Sequence, residues 1–201
     1  MPPTCSRMEP CDPMTPFGIQ LYTLRRPFAE DPLGTLGRIR QTGYDTVEFA
    51  APLSMDFPAL GARMKEIGLD CPSAHVGIGD MADRPDAVLG MANALGCRIL
   101  VMPYVEPQSR DWPRIVTNLN AFARQARDNG YRVAYHHHDF EFEPWGNTNA
   151  FDFLVAETDP ALVDFELDVY WLKKAGQDPE AVMGRLSGRV RLLHLKDMTP
   201  D

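Results

Sequence analysis

At 201 residues, 44% of them hydrophobic, the chain can bury about 70% of its unfolded surface around one substantial core. Its formal net charge of −8 is spread along the sequence with no basic stripe, which argues against nucleic acid as a partner. No run approaches the roughly 20 apolar residues that a membrane span needs, and Cys5, Cys11, Cys71 and Cys97 show neither CxxC nor disulfide-rich spacing, as suits a reducing, cytoplasmic setting.

Residues 1–16, "MPPTCSRMEPCDPMTP", are rich in Pro and lack the apolar stretch of a secretory signal. They are expected to form a leader outside a fold that begins at Phe17. From there short β-rich runs alternate with helical periodicity. The predicted strands are 17–23, 45–50, 71–76, 98–104, 132–138, 163–171 and 190–197. Between them "FPALGARMKEIG", "PDAVLGMANALG", "IVTNLNAFARQARDNG" and "PEAVMGRLSG" carry an apolar residue every three or four positions. Gly43, Gly68, Gly96, Gly130 and Gly188 are placed to close helices. Pro58, Pro85 and Pro179 open them in the first turn, where a missing N–H is harmless.

Strand, helix and strand at intervals near thirty residues imply parallel units with right-handed crossovers. No Gly-rich loop follows the first strand, where "LRRPFAEDP" stands instead, so a dinucleotide-binding open sheet is disfavoured. Polar groups recur at the strand ends: Gln20, Glu48, His75, Tyr104, His136 to His138, Asp168, His194 and Lys196. A barrel gathers all strand ends around one mouth, whereas an open sheet strings them along an edge. The expected fold is therefore an α/β chain of the (β/α)8 TIM type, truncated after its seventh strand. The exposed edges of an incomplete ring favour pairing with a second copy as a homo-oligomer.

All five histidines fall at strand ends, three of them in "RVAYHHHDFEF". A single histidine in such a place is more often a packing residue than a ligand, but five of five beside carboxylates form a donor set suited to a divalent cation. Asp168 sits between Leu167 and Val169 on an apolar run, so its charge calls for a cation or strong donors. Alternation puts His136 and His138 on one face and His137 on the other, for as long as the strand lasts. Trp145, Tyr170 and Trp171 are candidates to pack partly in the core and partly against sugar faces.

The motifs "GIQLYTLR", "SAHVG", "YHHHDFEF", "ELDVYW" and "HLKD", in this order, resemble the sugar phosphate isomerase/epimerase family of xylose-isomerase-like TIM barrels. The resemblance runs from about Phe17 to the end. It implies one divalent metal at the C-terminal mouth, Mn²⁺ first and Mg²⁺, Zn²⁺ or Co²⁺ as alternatives. It implies metal ligands at Asp168, His194 and either Glu141 or one of the histidines 136–138, with a fourth family ligand beyond Asp201. It further implies a sugar, sugar phosphate or cyclitol as substrate, isomerised or epimerised through α-proton abstraction and a metal-stabilised enediolate. Glu141 and His138 are then the expected acid/base groups, and Gln20, Glu48, His75, His136, Trp171 and Lys196 the substrate contacts. A dehydratase or lyase on a keto-sugar or inosose, a sugar-binding barrel without catalysis, and a three-metal nuclease of the endonuclease IV kind are the competing readings. The last fits poorly with five histidines and a net charge of −8.

Overall fold

The computed structural model describes residues 17–186 and 188–198; the predicted leader, with Cys5 and Cys11, lies outside the described residues. In chain order the elements are β1 (Ile19–Gln20), α1 (Arg25–Glu30), α2 (Pro32–Gln41), β2 (Thr46–Phe49), α3 (Phe57–Ile67) and β3 (Asp70–His75). Next come α4 (Ile78–Asp83), α5 (Pro85–Leu95), β4 (Ile99–Met102), α6 (Trp112–Asp128) and β5 (Arg132–His136). A small hairpin of β6 (Pro144–Trp145) and β7 (Thr148–Asn149) leads into α7 (Ala150–Glu157). The chain continues through β8 (Val163–Asp168), α8 (Val169–Lys174), α9 (Pro179–Arg185) and β9 (Val190–His194).

Seven strands form one sheet in the order β1-β2-β3-β4-β5-β8-β9, each pair parallel. The helices on its outer side and the curl of the sheet give the incomplete (β/α) barrel expected from the alternating pattern. Period-two alternation divides each strand between two environments. Val47, Phe49, Leu100, Met102, Val133, Tyr135, Phe165 and Leu167 join the apolar layer under the helices. Val101 and Ala134 are buried yet stand outside that layer, facing the inside of the ring.

Pro58, Pro85 and Pro179 fall in the first turns of α3, α5 and α9, as expected. Asp56, Asp111 and Asp178 accept backbone N–H bonds at the starts of α3, α6 and α9, each with Pro in the first turn. Gly68 and Gly96 close α3 and α5 in the left-handed conformation. Those two helices also pack closely enough that a Cβ on Gly61 would lie 1.9 Å from the carbonyl oxygen of Ala94. Among the described residues no helix is long and apolar enough to cross a membrane.

Several predicted strands prove shorter. The run 17–23 pairs only at Ile19–Gln20 before Leu21–Leu24 winds into a 3₁₀ turn. The run 163–171 ends at Asp168, because that side chain accepts from the N–H groups of Tyr170 and Trp171 and starts α8. β5 stops at His136 and β9 at His194, so His137, His138 and Lys196 belong to loops. At the N-terminal end of the ring, buried Asp164 is held by Arg132 at 2.6 Å and Arg191 at 3.1 Å.

A histidine and carboxylate cluster at the mouth of the barrel

Inside the ring, at the C-terminal ends of the strands, His75 of β3, His136 of β5, Glu166 of β8 and His194 of β9 converge. Each offers a ligand atom lying within 4.8 Å of the others. The register explains why: His136 sits beside Glu166, and Asp168 beside His194, on adjacent strands. Both glutamates of the mouth, Glu48 and Glu166, lie where the strand register shifts. Such bulges re-aim a side chain out of the regular pleat.

The contacts are dense. Glu166 Oε2 lies 2.8 Å from His75 Nε2 and 3.1 Å from His136 Nδ1. Glu48 Oε1 lies 3.0 Å from His75 Nε2 and 2.9 Å from His194 Nε2, accepts from Gln20 Nε2 at 2.8 Å, and its other oxygen accepts from Ser73 Oγ at 2.7 Å. Asp168 Oδ2 is 2.5 Å from Lys196 Nζ and 3.6 Å from His194 Nδ1.

These positions set the charges. Burial pushes the His75 imidazolium down, but Glu48 and Glu166 outweigh it and hold its pKa at about 9. Burial likewise opposes a charged His194, yet Asp168, Glu48 and Glu166 raise it to about 10. Burial alone would raise Glu48; the charges of His75 and His194 instead hold it well below the usual carboxylate range. Burial and the neighbouring Glu48 charge push Glu166 up to about 7. His136, buried among other imidazoles, is held neutral, well below its ordinary value.

Each expected site residue can now be placed. Gln20, Glu48, His75, His136, Asp168, His194 and Lys196 are drawn together at the mouth. His138 and Trp171 line the cavity above, their rings 5.0 Å apart, and Trp171 rides on α8 rather than on a strand. On β5 it is His136 that joins this convergence, and Glu141 lies outside it. Its two oxygens accept from Tyr135 Oη at 2.7 Å and from the His138 N–H at 2.8 Å, in a fully buried site. Burial pushes that carboxyl up to about 7. It fastens the loop after β5 to the strand.

The triple histidine splits into three roles. His136 enters the cluster and His138 the cavity wall. His137 turns outward between Phe142 and Phe151; its Nδ1 bonds the His138 carbonyl and its Nε2 accepts from the Asp168 N–H. Glu166 was not anticipated. It lies two positions before Asp168 on one strand, and the period-two rule that paired His136 with His138 would have put both acids on one face. Two buried ring atoms of the cluster, His136 Nδ1 and His194 Nδ1, make no hydrogen bond. Three imidazoles, one carboxylate and such unsatisfied donor atoms fit a divalent transition metal such as Mn²⁺, Zn²⁺ or Co²⁺.

Residues 36–201 match the family described as xylose isomerase-like TIM barrel. An inosose dehydratase of Clostridium beijerinckii is 32% identical over 91 residues, 45% of this chain and 30% of that protein. Another, from Geobacillus kaustophilus, is 23% identical over 192 residues, covering 83% of this chain and 62% of that protein. The chain thus spans less than two thirds of the curated relatives it matches. A sugar phosphate isomerase/epimerase from Parabacteroides distasonis superposes with a TM-score of 0.77 at 22% identity, over 97% of this chain and 79% of that one. L-ribulose 3-epimerase superposes with a TM-score of 0.66 at 20% identity, over 90% and 69%. With parallel strands, a mouth full of ionisable groups and a family match over most of its length, the chain belongs to the xylose-isomerase-like TIM barrels.

Proposed function

We propose that this chain carries the active site of a divalent-metal-dependent enzyme that isomerises or epimerises a keto-sugar, sugar phosphate or cyclitol by removing a proton next to a carbonyl. Dehydration of an inosose shares that first step, and the inosose dehydratases among the relatives keep it as the alternative outcome. The observation that carries the reading is the convergence of His75, His136, Glu166 and His194 at the barrel mouth.

These four residues would hold the ion, with Asp168 beside them. When bound, the metal supplies Lewis-acid polarisation of a carbonyl and its neighbouring hydroxyl. The chain's own groups do the rest. Glu48, fixed by Ser73 and Gln20, is the carboxylate we assign to accept the α-proton. Gln20 and His138 offer hydrogen bonds to hydroxyls. Lys196, anchored on Asp168 and lining the cavity, places a positive charge where an oxyanion develops. Trp171 gives a flat apolar face to sugar C–H groups.

Calorimetric titration with Mn²⁺ and Zn²⁺, paired with solvent deuterium exchange into a ketose and into an inosose, tests this. The expected result is one site per chain, lost in His136→Ala and Glu166→Gln, and metal-dependent exchange at the carbon beside the carbonyl. Binding of sugar without exchange would leave a binding protein, and metal affinity untouched by both substitutions would overturn the assigned ligand set.

A further inference from the structure

Away from the mouth, at the N-terminal end of the ring, two thiols stand side by side. Cys71 lies at the start of β3 and Cys97 two residues before β4, both of them buried. Their Sγ atoms are 3.5 Å apart, and both thiols are free. Register accounts for the contact. Ser73 pairs with Ile99, so two residues earlier on each parallel strand Cys71 stands opposite Cys97. The Arg98 N–H donates to the Pro72 carbonyl at 2.9 Å and carries the ladder down to that pair. Adjacent strands run about 4.8 Å apart, inside the roughly 4.4–6.8 Å that separates Cα atoms joined by a disulfide. On that frame the sulfurs need only close from 3.5 Å to about 2.05 Å to bond.

The pair can also be reached. Cys71 lines a recess of about 450 Å³ beside α3 and α5, with Gly61, Met64, Asn93 and Arg98 around it. Hydrogen peroxide is close in size to water, whose share of liquid volume is about 30 Å³, so the recess admits it. Cys71 contributes to that lining and Cys97 does not, which sets the order in which they react.

We propose that Cys71 and Cys97 form a modification site at which peroxide makes a reversible disulfide. The Cys71 sulfur attacks one peroxide oxygen and the O–O bond breaks. The departing hydroxide and the thiol proton make one water, and Cys71 becomes a sulfenic acid. The Cys97 sulfur then attacks the Cys71 sulfur and expels its oxygen as a second water. Two thiols and one peroxide thus give one disulfide and two waters, the sulfurs oxidised and the oxygens reduced. The hydrogen bond shared with Cys97 and burial both hold the Cys71 thiol well above its usual pKa, so the reaction answers sustained rather than brief exposure. β3 also carries Ser73 and His75, so the bond ties a strand that supplies the mouth to its neighbour.

Peptide mapping of the full chain tests the assignment. Trypsin cuts after Lys65 and Arg98 but not at Arg84, which precedes Pro85, so residues 66–98 form one peptide with both thiols and neither Cys5 nor Cys11. The folded chain is treated with hydrogen peroxide, then alkylated in denaturant, digested and weighed. The wild type should yield this peptide unalkylated and lighter by two hydrogens, counted apart from any oxygen added to Met81 or Met91. Dithiothreitol should restore both thiols. Cys97→Ser should instead hold Cys71 as a sulfenic acid that dimedone traps, whereas Cys71→Ser should leave Cys97 open to alkylation. A wild-type peptide recovered with both thiols alkylated would overturn the proposal, as would a bond that appears only when peroxide meets the chain in urea.

Discussion

Replacing Glu141 by Gln should flatten the pH dependence of stability. The carboxyl is fully buried between Tyr135 and the His138 N–H, and burial pushes its pKa up from 4.5 to about 7. A pKa raised in the folded state means that the folded chain holds the proton more tightly than the unfolded chain. The associated stability is complete below about pH 4.5 and is lost as pH rises through about 7. The gap between 4.5 and about 7, at 1.36 kcal/mol per pH unit, amounts to about 3 kcal/mol. Most of that loss falls between pH 5 and 8, and in a chain of this size it corresponds to roughly 5–10 °C in Tm. Gln keeps an acceptor for the His138 N–H and a donor for Tyr135, with nothing to ionise. Thermal unfolding followed by circular dichroism at pH 5, 6, 7 and 8, in wild type and Glu141→Gln, isolates the effect, because every other titrating group is common to both. The wild type should lose ground steadily as the pH rises. Two parallel Tm curves would refute the reasoning and mean that folding leaves the carboxyl's pKa unchanged.

The neighbouring histidines should behave as opposites. His137→Phe keeps the packing against Phe142 and Phe151 but leaves the Asp168 N–H without its acceptor. It should lower urea stability by about 1–3 kcal/mol while Mn²⁺ affinity holds. His136→Phe should fold and lose Mn²⁺ binding by at least about a hundredfold, and calorimetry on both variants separates the roles. Gly61→Ala puts a methyl group against the Ala94 carbonyl, so α3 and α5 must part. A drop in urea midpoint equivalent to about 1–3 kcal/mol is expected, and an unchanged midpoint would mean that the helices adjust freely.

The ring of parallel strands was legible because buried parallel strands read as nearly continuous apolar runs, and because early prolines and closing glycines punctuate the helices between them. Helix α1 was not legible, and of α2 only its closing Gly43 was. Pro27, Pro32, Gly34 and Gly37 interrupt the 3.6-residue pattern, and the caps that rescue them depend on contacts such as Asp31 with the Gly34 N–H. At the site, residues that end strands could be placed on a wall of the barrel by alternation. Beyond the last strand residue that rule gives no direction, which is why the sequence leaves Glu141 and the histidines as alternatives and does not show that Glu141 turns back to Tyr135. Glu166 was overlooked for another reason. An acid within a run of six buried residues looks like an ordinary strand position, although its two-residue spacing from Asp168 puts both on the face toward the mouth.

The link between Glu48 and His194 joins positions 146 residues apart. Ordering so long an intervening chain is entropically demanding and belongs to the slow end of folding. The cluster forms only once strands distant in sequence have come together. A cation seated there would act as a clasp between β3 and β9.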